Sequence, residues 1–394
     1  MTEEIFRHDG YQFEFEAKVV SVDGELVILN RTAFYPGGGG QVCDVGTLNG
    51  IPVTEAFYDK EGDVAHRVPG HGLKPDEDVW GSVDWERRFD LMMGHTGEHI
   101  LFGSLKREVP DLAISKIFIS PDSKYVIVNE GVEWDVIRNA LRTANDVIRK
   151  NLTVSRVMMD RNDPDLEEKV RIKLENVPED EAVSVVAIGD FDYSACSGIH
   201  VMETLELGMI FVNRKVSAGK EGVAIHFKVG DEAAEAAMDL ADVCLRTVEA
   251  TDSKPEDLVK TVTNMRTELA SSRTSLKELS EMLFSSLEPE DVNGVPVYSI
   301  SVPGADRRVM SESAERIKGT GGVAIFVSAG ESVSAMLASG SDRVDCKKIL
   351  SDSLARFGGR GGGKSDFAQG GIPDLSRVSE LMGDLKKGVT AALS

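Results

Sequence analysis

His95-Thr96-Gly97-Glu98-His99 lies in a run that begins at Trp85 and reads as helix. Positions i and i+4 of a helix stack on one face, so the two imidazoles address the same point. Around them Phe89, Met92, Met93, His99, Ile100 and Leu101 fall mostly along one side, which predicts a helix burying a single stripe. A second pair, Cys196-Ser197-Gly198-Ile199-His200, follows an expected strand at Val183–Ile188, and Gly198 suits a turn that brings Cys196 and His200 together. With 7 His and 4 Cys in 394 residues, both spacings arise together by chance on the order of one time in a hundred. Three imidazoles and one thiolate suit tetrahedral Zn²⁺, one per chain. Spacing alone leaves other readings open. The pairs could be unrelated, or the zinc purely structural. His95–His99 also satisfies the H-x-x-E-H of inverted zinc peptidases, with Glu98 as general base, but that reading leaves Cys196 and His200 unexplained.

Working outward, residues 1–85 read as short strands punctuated by glycine. Phe13–Glu16 alternates and Glu25–Leu29 is β-rich, which predicts a small β-barrel. Residues 86–230 mix helices and strands, with strands at Tyr125–Val128 and Val183–Ile188 and a helix at Val136–Lys150. Residues 231–285 read as continuous helix former, with Pro255 marking a helix start. Leu258, Val262, Met265, Leu269, Ser272, Leu276, Leu279 and Leu283 follow steps of four and three, a coiled-coil-like seam for a helical linker, a hairpin or a homodimer. Residues 286–394 are again mixed, with strands at Val295–Val302 and Val323–Val327 and a helix at Lys347–Phe357. The expected class is an α+β multidomain protein with a C-terminal α/β domain.

Composition excludes several classes. Hydrophobic residues are 41% and charged residues 28%, a globular balance. No apolar run approaches the roughly 18 residues of a membrane span, and the first ten residues do not read as a secretory signal. The cysteines at 43, 196, 244 and 346 lack C-x-x-C spacing, so a reducing cytoplasm is expected. A net charge of −22 opposes indiscriminate nucleic-acid binding, yet Pro303–Ser394 holds 13 Lys/Arg against 11 Asp/Glu.

Two glycine-rich segments stand out. Phe34-Tyr35-Pro36-Gly37-Gly38-Gly39-Gly40-Gln41 lets backbone N–H groups approach a ligand, and Gln41 offers a donor and an acceptor. Gly358 to Lys364-Ser365 matches the phosphate-loop pattern letter for letter, but a helical pattern precedes it and more glycine follows, so nucleotide hydrolysis is not expected. What survives is a glycine-lined loop, Arg360, Gly361, Gly362, Gly363 and Lys364, able to take a sugar-phosphate backbone.

FYPGGGGQ, HTGEH and CSGIH, in that order, resemble the editing half of alanyl-tRNA synthetase and still more its AlaX trans-editing relatives, while GGRGGGKSDFAQGG resembles the DHHA1 domain. The resemblance covers nearly the whole chain and points to the long AlaX form, without the aminoacylation domain, so amino-acid activation is not expected. It implies a zinc-containing editing domain that hydrolyses the ester of mischarged tRNA(Ala), chiefly Ser-tRNA(Ala) and also Gly-tRNA(Ala). By motif, His95, His99, Cys196 and His200 would bind zinc, Gly38, Gly39, Gly40 and Gln41 would line the aminoacyl pocket, and the DHHA1 block would grip tRNA. Ser197 and Ile199 stand where the family usually has glycine and threonine. Val223-Ala224-Ile225-His226 stands where an arginine often precedes Ile-Glu. An aminoacyl ester is already activated, so the enzyme mainly positions water and stabilises an oxyanion. Thr96 and Gln41 are candidates to hydrogen-bond the serine hydroxyl. The competing reading is a tRNA-binding accessory protein without hydrolytic activity.

Overall fold

The computed structural model describes residues 1–172, 182–330 and 332–394. The chain forms two compact units, Met1–Arg246 and Thr247–Ser394, and among the described residues no helix is long and apolar enough to cross a membrane.

The first unit opens with a seven-stranded, nearly closed antiparallel sheet. Its longest strand, Glu14–Asp23, turns Phe15, Ala17 and Val19 inward and Glu14, Glu16 and Lys18 outward, the period of two that the sequence predicts. Asp78–Val83 pairs with that strand and leads into helix α1, Trp85–Glu108, whose N-cap Asp84 accepts from Arg87 N–H. The expected single buried stripe is not what α1 has. Every residue from Gly94 to Leu105 is buried, because sheets pack on several of its sides. Two glycines permit this approach: a Cβ on Gly94 would lie 2.7 Å from Lys124 Cε, and one on Gly97 2.8 Å from Val229 Cγ1.

A four-stranded sheet, in the order Ile114–Ile119, Lys124–Val128, Val223–Val229, Ile210–Ser217, and the helix α2, Trp134–Lys150, cover α1. A three-stranded sheet of Val154–Met159, Val183–Ile188 and Asp192–Ala195 completes the unit, with the short helix α3, Pro164–Lys169, before its second strand. One hydrophobic core joins Ile5 to Val229, so it runs unbroken across residue 85.

The predicted continuous helix over 231–285 is two helices, α4 at Gly230–Ala250 and α5 at Leu258–Ser285. Asp252 adopts a left-handed conformation (φ 47°) and Pro255 opens a short 3₁₀ turn before α5, which ends one helix and starts the next. In the second unit α5 buries Ser280 and Phe284, but its seam residues Val262, Met265, Leu269, Leu276, Leu279 and Leu283 are 39% to 62% exposed.

The second unit is built on a six-stranded mixed sheet ordered Glu290–Val292, Val295–Ser301, Val323–Ala329, Val333–Ser339, Phe367–Ile372, Arg360–Gly363. Helix α6, Arg307–Gly319, crosses between the parallel strands Val295–Ser301 and Val323–Ala329. Helices α7, Cys346–Arg356, and α8, Val378–Leu393, share a core with Ile325 and Leu337, whereas α6 shares one with Phe326 and Met336. The expected glycine loop is therefore an edge strand, Arg360–Gly363. Gly361 is required there because Leu354 on α7 lies 2.5 Å from where its Cβ would stand.

Candidate metal centre

His95 and His99 project from the same side of α1, and Cys196 and His200 come from the segment after the strand Asp192–Ala195. Their four donor atoms lie within 4.8 Å of one another. Cys196 Sγ is 3.4 Å from His95 Nε2 and 3.3 Å from His200 Nε2. A tetrahedron with metal–ligand bonds of about 2.0–2.3 Å has edges of roughly 3.3–3.8 Å, so these separations fit one ion.

The outer nitrogens of the rings show why the inner ones converge. His95 Nδ1 is 2.8 Å from Gln41 Oε1. Thr96 Oγ1 donates its own proton to Met92 O at 2.9 Å, so it accepts from His200 Nδ1 at 3.2 Å. His99 Nδ1 lies 3.6 Å from Asp192 Oδ2, and Asp192 is held in place by Arg171 Nε and Nη2 at 2.9 and 2.6 Å. Each pairing turns an Nε2 toward the common centre. His99 Nε2 is buried there without a hydrogen-bond partner, an orphan that a cation would satisfy.

Electrostatics agree. Burial opposes ionisation of Cys196, but the imidazoles of His95 and His200 outweigh it and hold the thiol well below its usual value. Burial pushes His200 down to about 3. For His99, burial is outweighed by Asp192 and Cys196, which raise it to about 10. A thiolate and a neutral His200 are already in the form that metal ligation needs.

The glycine segment lies beside this cluster. Gly37 to Gly40 all have positive φ, a path open to glycine, and Tyr35 Oη donates to Gly38 O at 3.0 Å. A Gly39 Cβ would stand 3.8 Å from His95 Cε1, and a Gly40 Cβ would meet Ile117 O at 2.6 Å. Gly198 does not serve the predicted turn by a positive φ. It is glycine because a Cβ there would come within 2.2 Å of His95 Cε1. A cavity of about 620 Å³ opens against the cluster, lined by Gly39, Glu98, Phe102, Ile117, Arg171 and Ser197 among others.

Thr96 and Gln41 both contact imidazoles of the cluster. Thr96 is fully buried and spends its hydroxyl on Met92 and His200, so it orients a ligand and cannot read a serine hydroxyl. Gln41 likewise spends its oxygen on His95, leaving Nε2 buried and unpaired. Glu98 is fully buried at the cavity wall with neither oxygen hydrogen-bonded. Arg360, Gly361, Gly362, Gly363 and Lys364 belong to the second unit, and the cluster to the first. Sequence reasoning missed Asp192 and Arg171. Asp192 was findable, since Asp192 and Ser194 share one face of the strand that leads into Cys196; Arg171 carried no local signal.

An α+β unit with this cluster, followed by a mixed-sheet unit, defines the class, and comparison narrows it. Residues 183–223 match the threonyl and alanyl tRNA synthetase second additional domain, and residues 294–391 match the DHHA1 domain. The alanine–tRNA ligase of Methanoregula boonei is 29% identical over 403 residues, covering 100% of this chain and 44% of the ligase. That of Methanospirillum hungatei is 30% identical over 415 residues, again 100% of this chain and 44% of the ligase. The chain therefore spans less than half the length of these relatives. The C-Ala domain of Aquifex aeolicus alanyl-tRNA synthetase is similar over 27% of this chain and 99% of that one, at 20% identity and a TM-score of 0.24. The chain is thus similar along its whole length to part of alanine–tRNA ligases, and carries segments that match the second additional domain and the DHHA1 domain.

Proposed function

We propose that the protein is a zinc-dependent aminoacyl-tRNA deacylase that removes serine, and glycine, from mischarged tRNA(Ala) in the cytoplasm. The observation that carries this reading is the convergence of His95, His99, Cys196 and His200 beside a cavity large enough for an aminoacyl-adenosine terminus. The relation to alanyl-tRNA synthetase editing domains supports the substrate class. His95, His99, Cys196 and His200 would hold Zn²⁺, which supplies Lewis acidity toward an ester carbonyl or water.

The chain's own groups do the rest. Gln41, Thr96 and Asp192 orient the imidazoles. Gly39, held between Gly38 and Gly40, gives the substrate close access to main chain, and apolar walls at Phe102 and Ile117 limit water. Glu98, the unengaged carboxyl at the wall, takes the proton of the attacking water. The water oxygen bonds to the carbonyl carbon, the carbon–ribose oxygen bond breaks, and the proton passes to the ribose oxygen. Free amino acid and uncharged tRNA leave. The strand Arg360–Gly363 and the adjoining Lys364 in the second unit grip tRNA backbone, and the exposed seam of α5 pairs two chains.

Deacylation of Ser-, Gly- and Ala-tRNA(Ala), with and without chelator, tests the reading. Chelator-sensitive release of serine and glycine with alanine spared is expected. Turnover of no aminoacyl-tRNA would leave the accessory tRNA-binding role.

A further inference from the structure

Helix α2 carries Arg138, Arg142 and Arg149, spaced i, i+4 and i+11, so the three emerge on one side of the helix. All three are exposed, and they open on one shallow groove of about 560 Å³ together with Asn145 and Phe211. The surroundings make this patch exceptional. The first unit holds 26 Lys/Arg against 45 Asp/Glu, yet from Val136 to Lys150 there are four cations and a single acid, Asp146. Asp146 pairs with Arg149. Among the described residues, Arg138 and Arg142 make no ion pair.

The groove is also firmly built. Its far wall begins at the edge strand Ile210–Ser217. Asn145 closes the start of that edge, donating to Ile210 O at 2.9 Å and accepting from Ile210 N at 3.0 Å. The guanidinium groups therefore stand on a helix fixed to the sheet, and that helix packs on α1, which carries two of the metal ligands. Guanidinium forks match phosphate oxygens, and the half-buried Phe211 offers an aromatic face beside them, a combination that suits RNA over an acidic peptide.

We propose that this groove seats sugar-phosphate backbone of the same tRNA whose ester the cavity hydrolyses, a contact separate from the Arg360–Lys364 segment. The identity of the RNA rests on the deacylase reading. An acidic unit needs such a local seat if its cavity is to meet a polyanion's terminus.

The test is binding of uncharged tRNA(Ala) by fluorescence anisotropy across a salt series, for the wild type and for Arg138→Gln/Arg142→Gln. The double variant should bind roughly tenfold or more weakly near 0.1 M salt, with a slope shallower by about one to two, the loss of two phosphate contacts. Its saturated rate on Ser-tRNA(Ala) should hold while KM rises, and 3′-O-seryl-adenosine should be hydrolysed equally by both proteins. Lys60→Gln/Lys220→Gln, which removes two exposed cations elsewhere on the unit, should change nothing. Unchanged affinity and slope in the arginine variant, or an equal loss in the lysine control, would overturn the seat. So would loss of poly-L-glutamate binding with tRNA binding intact. Uncharged tRNA reports the seat and ester hydrolysis reports the deacylase reading, so either can fail alone.

Discussion

Arg88 Nε donates to both carboxylate oxygens of Asp44 at 3.0 Å, and neither side chain has any solvent exposure. Asp44 also accepts from Tyr35 N–H at 2.6 Å, while Arg88 reaches Ala33 O and Gly10 O. This buried pair fastens both ends of the glycine segment to the first turns of α1, and so sets Gly39 and Gln41 against His95. Removing one partner leaves a buried charge unpaired. Asp44→Ala should destabilise the protein by about 3–5 kcal/mol in urea unfolding. A loss under about 1 kcal/mol would mean the pair is not the fastening.

Gly198 allows the close approach of the segment Cys196–His200 to His95. Gly198→Ala should therefore push the two ligand pairs apart and lower bound zinc well below one per chain, as measured by metal analysis of the purified variant. Full zinc content would contradict the geometry.

The grouping of His95, His99, Cys196 and His200 was legible because each half is a short-range pattern that a helix or turn expresses directly. The start of strand Glu14–Asp23, read as the alternation Phe13–Glu16, and helix α2, read as Val136–Lys150, were legible for the same reason. The burial of α1 on all sides was not, since it depends on sheets from distant sequence packing around Gly94 and Gly97. Nor was the fate of Thr96, whose hydroxyl is claimed by a backbone carbonyl one turn away and a histidine 104 residues on. The Arg360–Gly363 stretch read as a loop from composition, whereas antiparallel pairing with Phe367–Ile372 makes it a strand.

Glu98 is a buried carboxyl with no hydrogen bond, a costly arrangement for stability. Glu98→Gln should lower the single-turnover deacylation rate by roughly 100-fold or more while the melting temperature stays or rises. An unchanged rate would remove Glu98 from proton transfer.

His66 is fully buried, with Thr32 Oγ1 2.8 Å from Nε2 and Val27 O 3.0 Å from Nδ1, and burial pushes it down to about 4. The unfolded chain binds this proton near pH 6.5 and the folded one only near 4. Stability is therefore complete above pH 6.5 and falls as the pH drops through that window, by about 3 kcal/mol for this group. Urea midpoints from pH 7 to 4 should show this fall, and His66→Gln should flatten it. An equal slope in the variant would assign the fall to other groups.

The seam of α5 is exposed along six apolar positions. Light scattering should show a dimer, and Leu269→Lys with Leu276→Lys should give a folded monomer. A wild-type monomer would end the pairing account.

Zinc titration of the chelator-stripped protein, followed by single-turnover release of serine from Ser-tRNA(Ala), tests the central claim most directly. The rate should rise with added zinc and reach its plateau at one ion per chain, and Cys196→Ala/His200→Ala should show neither the rise nor the bound ion. Full activity in the stripped protein, or no release at any zinc content, would contradict the account.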